Sequence, residues 1–360
     1  MPTPTYQSAL KSPSELIVAR FQEAPDLADV TVSFAKELGG VSLIAPKVDR
    51  TVRDNLRSAF YGATTFENIG GPTLSDPLVA FDMLRVLTRS PVMKSSPVSI
   101  PAGLFNSLSE RLDAAIEAVG PEGLRPFFRI KQVTPSIFDF RCESRALLCA
   151  TMLRPQEHVD GREFRGKFFS RAEFKDWYRT EESPLCKYAD AQGQPLQEFT
   201  YYSDWSGFNF PDRVARALMD GSFGSLTKAE QFVADTLAAL KSDGPYYVIG
   251  SSGKDSDPLA LEVHDHEVRH GLYHTNPDYR AAVEALLDRE DVKPVLPTLF
   301  EYFKGDGCYH PDVWRDEAQA HLGNGAEFLL GRIPLTPTDL RIHAVAQQEI
   351  LEISRQYLEK

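Results

Sequence analysis

The stretch His266-Glu267-Val268-Arg269-His270 places the tightest constraint on the fold, because its two imidazoles act together only if a helix carries them. Positions i and i+4 project from one helical face, close enough for both rings to hold one metal ion. Glu267, between them, can reach a water on that metal and serve as general base and then proton donor. The flanking residues agree with a helix. Asp257 can cap it, Pro258 suits its first position, and Leu259, Leu261, Val263, Val268 and Leu272 supply apolar faces. The helix should end near Asn276, since Pro277 opens a new element. Six of the eight histidines fall between His264 and His321, so the chemistry of the chain is concentrated here.

A catalytic zinc needs at least one further protein ligand, with a position left for water. His274 lies two turns beyond His266, about 12 Å along a straight helix, which is too far to share its metal. His264 points away from His266, because residues two apart are roughly 200° apart around the axis. Downstream, Pro294 and Pro297 precede a short helix that runs to Gly305-Asp306-Gly307. Pro311 then suits the start of another helix, through Leu322. On it Glu317 and His321 share a face, and Ala318 and Ala320 leave room for a neighbouring helix.

The H-E-x-x-H stretch followed by Asp316-Glu317-Ala318-Gln319-Ala320-His321 resembles the gluzincin clan of zinc metallopeptidases, over residues 245–322. The clan carries its third ligand in a pattern like N/D-E-x-x-A/S-D. The resemblance implies His266, His270 and Glu317 as ligands and Glu267 as the catalytic carboxylate. It also implies groups that orient the ligands, here Asp316 and His321. His321 departs from the Asp that the clan commonly has at that position. Tyr246–Gly250 would match the clan's edge strand, which pairs with extended peptide. No family is recognisable in the first 240 residues.

The remainder of the chain sets the frame. Of 360 residues, 42% are hydrophobic and 25% charged, the composition of a folded protein. A net charge of -12 disfavours nucleic acid and anionic lipid as partners. No apolar run approaches bilayer length. Cys142, Cys149, Cys186 and Cys308 form no CxxC pair, which points to a reducing, cytoplasmic setting; Cys142 and Cys149 read as buried thiols. Residues 1–125 read as a mainly helical region, with helix starts at Ser12-Pro13-Ser14-Glu15 and Ser75-Asp76-Pro77 and a helical stripe over Pro101–Val119. Loops are expected at Asn68–Pro72 and Ser95–Pro97.

Residues 126–360 read as an α+β metal-binding domain: a zincin-like helical C-terminal part with a small sheet. Strand content appears in Phe127–Val133, Ile137–Phe140 and Tyr246–Gly250, and Asp160-Gly161 reads as a turn between strands. Thr227–Leu240 reads as an amphipathic helix. Asp204–Asn209 reads as an aromatic turn in a core.

The function expected from these residues is zinc-dependent hydrolysis of a peptide or amide bond, with a peptide-like substrate. Tyr309 and His310 are candidates to stabilise the oxyanion. Two readings compete with it. The same two histidines and carboxylate also describe a non-haem Fe(II) oxygenase site. A metal that merely pins two helices would make the chain a binding protein.

Overall fold

In the computed structural model the described residues are 103–180, 197–240, 244–255, 257–305, 309–326 and 333–358, with 31–35, 40–44 and positions 74, 77, 78, 81 and 329. They form eleven α-helices and six strands, an α+β architecture in which helix predominates. Of the helix expected after Ser75, positions 77, 78 and 81 are described and helical. The start at Ser12–Glu15, the loops at Asn68–Pro72 and Ser95–Pro97, and Cys186 and Cys308 lie outside the described residues. No helix among the described residues is long and apolar enough to cross a membrane.

The chain divides into two compact units. The first comprises residues 1–127, 144–150 and 178–204. It holds a hairpin that the sequence reading did not anticipate, β1 (Thr31–Ala35) antiparallel to β2 (Gly40–Ile44). Its helix Leu104–Leu124 buries Phe105, Leu108, Leu112 and Ile116 on one stripe, the spacing expected of an amphipathic helix. Glu198 accepts hydrogen bonds from the backbone N–H groups of Gly103 (2.7 Å) and Phe105 (2.9 Å), serving donors at that helix's open N-terminus. Asp204 is equally structural: it accepts from the Tyr178 hydroxyl and, at 2.9 Å, from that of Thr200.

The second unit comprises residues 128–143, 151–177 and 205–360. Its four-stranded sheet has the order β3 (Phe128–Thr134), β4 (Ile137–Cys142), β6 (Tyr247–Ser252), β5 (Gly207–Pro211). β4 and β6 are parallel, and the outer strands run antiparallel to them. The strand before the motif helix is therefore interior, not the edge strand implied by the resemblance to gluzincins; β5 takes the edge. Every residue of β6 is buried, as expected of a strand covered on both sides. Asp160-Gly161 also departs from expectation, since it follows the C-terminus of helix Arg145–Val159 and joins no two strands. The Gly161 N–H bonds the Glu157 carbonyl at 3.1 Å, closing that helical end.

Two local devices fix the sheet's helical cover. Helix Lys228–Ala239 starts with a reciprocal capping box between Thr227 and Glu230. Glu230 also receives the buried guanidinium of Arg154, whose other donors reach the carbonyls of Phe169, Phe223 and Ser225. Burial opposes ionisation of Glu230, but Arg154 and Arg171 outweigh it and hold the carboxyl below its ordinary range.

The motif helix, Pro258–Thr275, lies against the sheet through Val268 and Leu272, which pack with Ile137, Tyr247 and Ile249. Gly271 makes this approach possible. A Cβ there would stand 2.8 Å from Cδ1 of Ile137 and 3.0 Å from its Cγ1. Gly271→Val should therefore lower stability by about 1–3 kcal/mol, since two branched side chains would compete for one space. A shift of the denaturant midpoint measures this; an unchanged midpoint would show that β4 yields without cost.

Candidate metal centre

Two helices assemble the centre. Asp257 caps the motif helix by accepting from Leu259 N–H (3.0 Å), and Pro258 occupies its first turn. His266 and His270 then fall one turn apart, with their rings edge-to-face and Nε2 atoms 3.1 Å apart. His310, whose Nδ1 accepts from Asp312 N–H (3.3 Å), starts the turn Pro311–Val313 that leads into helix Trp314–Leu322. That helix presents Glu317 at 3.7 Å from Nε2 of both His266 and His270. One ligand atom from each of the three lies within 4.8 Å of the others, the single such group found among the described residues.

The helices are tied at the level of the site. Arg269, buried inside the motif, donates to Asn324 Oδ1 (2.7 Å) and to the Ala320 carbonyl (3.3 Å) beyond Glu317. Its guanidinium occupies the space that a Cβ on Gly323 would need. Glu262, one turn before His266, accepts from Gly325 N–H at 2.7 Å. This cross-bracing makes two distant stretches of sequence meet at one point.

The outward ring nitrogens are also held. His270 Nδ1 lies 2.9 Å from Asp316 Oδ1, and His266 Nδ1 lies 3.3 Å from the Asn324 amide. Asp316 further receives Gln319 (3.0 Å) and His274 (3.0 Å), the latter stacked on Tyr247. Asp316 thus lies against the outward nitrogen of the His270 ring, bridging it to His274 and Gln319. His321 sits edge-on to His266 with Nε2 3.5 Å from Glu317 Oε2, beside the triad rather than behind it. Carboxylate partners of ligand imidazoles typically matter 10–100-fold to metal affinity, so if the triad holds a divalent metal, Asp316→Asn should weaken its binding by roughly that factor. Competition against a chromophoric chelator measures it; unchanged affinity would separate Asp316 from the centre.

The electrostatics suit a cation. Asp160, Glu267, Asp316 and Glu317 are all buried around the two rings. Burial pushes Glu267 and Glu317 up to about 7, against the pull of His270. Asp160 is raised well above its ordinary value, by burial first and by Glu317 second. Burial, with the neighbouring charges of His270 and Arg269, keeps His266 neutral, whereas Asp316 and Glu317 overcome burial and hold a proton on His270. Glu317 Oε2 has no hydrogen-bond donor among the described residues. Two imidazoles, one underused carboxylate and excess buried acid fit a divalent metal of the zinc or iron type.

Glu267 meets β5. Its Oε2 accepts from the Asn209 amide at 2.9 Å, and its Oε1 lies where a Cβ on Gly207 would stand. Tyr309 pairs with Gly161 in an isolated bridge, and its phenol, raised by burial first and Glu317 second, stays protonated. The ring of His310 is engaged as a cap, and its backbone N–H bonds the Asp160 carbonyl (3.2 Å). His264 leaves the centre altogether and meets Asp139 at 3.3 Å. Sequence reading missed Asn209, Asn324 and Asp160, none of which carries a fixed spacing to the motif. The chain matches no protein-family model, no curated protein and no solved structure.

Proposed function

We propose that this protein is a zinc-dependent hydrolase acting on a peptide or amide bond. The observation that carries this reading is the convergence of His266, His270 and Glu317 within 4.8 Å, with Glu267 on the same helical turn and not among the three. A bound zinc would polarise the scissile carbonyl and bring the pKa of its water toward neutrality. Glu267 takes the proton from the attacking water and passes it to the leaving amine. Tyr309, a neutral O–H in the field of Glu317, donates to the oxyanion. Asp316 and Asn324 hold the ligand rings in register. A buried site of this kind excludes bulk water, which strengthens each of these interactions.

The test has two arms. Metal analysis of protein purified without added metal should find zinc near one per chain. Digestion of a mixed peptide library should be lost with a chelator and restored by zinc. Iron together with oxygen uptake would replace hydrolysis by oxygenase chemistry. Firmly held zinc with an intact library, and no water exchange at the metal, would leave a structural role.

A further inference from the structure

β5 reaches Glu267 with two residues of one face, since positions i and i+2 of a strand point the same way. Gly207 lies directly under Oε1, where any side chain would displace the carboxylate. Asn209 donates its amide to Oε2 at 2.9 Å. The amide cannot choose its orientation freely, because Asn209 Oδ1 already accepts from the buried Tyr247 hydroxyl at 2.6 Å. The strand is also held from outside. The Asn209 backbone N–H donates to Gln156 Oε1 at 2.6 Å, and the Gln156 amide is fixed in turn by Asp160. Pro211, the next residue of the same face, brings no N–H to that outer edge.

Building on the hydrolase reading, we infer that Gly207 and Asn209 form a seat that positions the general base, with Tyr247 and Gln156 locking Asn209 in place. Both oxygens of Glu267 meet the seat, so the carboxylate is held in one orientation as it exchanges a proton with water. Geometry of this kind acts on the rate of the chemical step more than on substrate binding, because a misplaced base leaves ground-state contacts intact.

Two readouts test the seat on the full-length protein. The first needs no substrate. In a thermal-stability cycle of Asn209→Ala and Glu267→Ala, the Asn209→Ala loss in melting temperature should fall by half or more once Glu267 is gone. Strictly additive losses would show that Asn209 serves only the strand, and would overturn the inference. The second readout is kinetic, on a peptide that the library digest identifies. Asn209→Ala should lower kcat at least tenfold with KM and zinc content unchanged. Asn209→Leu, similar in size but without the donor, should lower it as much, whereas a space-filling role predicts that Leu is tolerated. Asn209→Ala should cost nothing further in a Glu267→Gln background. Full activity in Glu267→Gln would overturn the hydrolase reading itself, while the stability cycle would still decide whether the seat exists.

Discussion

Replacing Glu267 by Gln is expected to reduce turnover by about 10²–10⁴-fold while leaving the metal in place, the range that a general base contributes. Glutamine keeps the length and shape of the side chain, and its carbonyl can still accept from Asn209. The three ligands are untouched, so metal content and melting temperature should stay near the wild-type values. Only the ability to hold a proton is lost. The pH profile should change with it. Burial raises Glu267 to about 7 in the metal-free chain, opposed by His270 and by the Asn209 hydrogen bond. A base works when ionised, so activity should climb with pH as Glu267 loses its proton, and a cation at the triad moves that limb to lower pH. The residual rate of the Gln variant should lack this limb. Initial rates across pH, with metal content measured on the same samples, check both statements. Wild-type turnover in the variant would remove Glu267 from the chemistry.

What could be read from the sequence was whatever the sequence encodes locally. The motif helix spans Pro258–Thr275 because its stop signals are adjacent to it: Asp257 caps its start, and Asn276 ends it while accepting from Asp278 and Tyr279 N–H to begin the next helix. Glu317 was legible as a helical neighbour of Ala318 and Ala320, yet its convergence on His266 depends on Arg269, Asn324 and Glu262, which no local spacing announces. Asn209, 58 residues before Glu267, approaches it only because β5 pairs with β6.

Two misreadings have physical causes. Residues 146–155 are buried all round, so the helix Arg145–Val159 lacks the two-faced contrast that marks a surface helix, and Pro155 interrupts its pattern. The Asp-Gly after it then looked like a hairpin turn. Strand order is likewise a non-local property. The unbroken apolar run Tyr247-Val248-Ile249 did carry the signature of an interior strand, whereas Gly207 and Pro211 disguised β5 as a turn.

Zinc should stabilise the fold by about 4 kcal/mol when its free concentration is a thousand times its dissociation constant, because the unfolded chain does not present the three ligands together. The effect should also depend on pH, with a sign set by the buried acids. Glu267 and Glu317 are raised to about 7 from an ordinary 4.5, mainly by burial. At low pH both the folded and the unfolded chain carry these protons, and their contribution to stability is complete. As pH rises from about 4.5 to about 7, the unfolded chain releases them while the folded chain retains them. Their contribution to metal-free stability therefore declines across that window and is gone above it. A dication favours the ionised carboxyls and replaces the proton held by His270, so the zinc-loaded protein escapes the decline. The gap between zinc-loaded and metal-free melting temperatures should accordingly widen from pH 5 to pH 8. Glu317→Ala should shrink it at every pH, by removing a ligand and one of the two raised acids together. Melting curves over that range, with and without chelator, measure the gap. Coincident curves in wild type would mean that the buried acids are balanced without a metal and that the triad holds none.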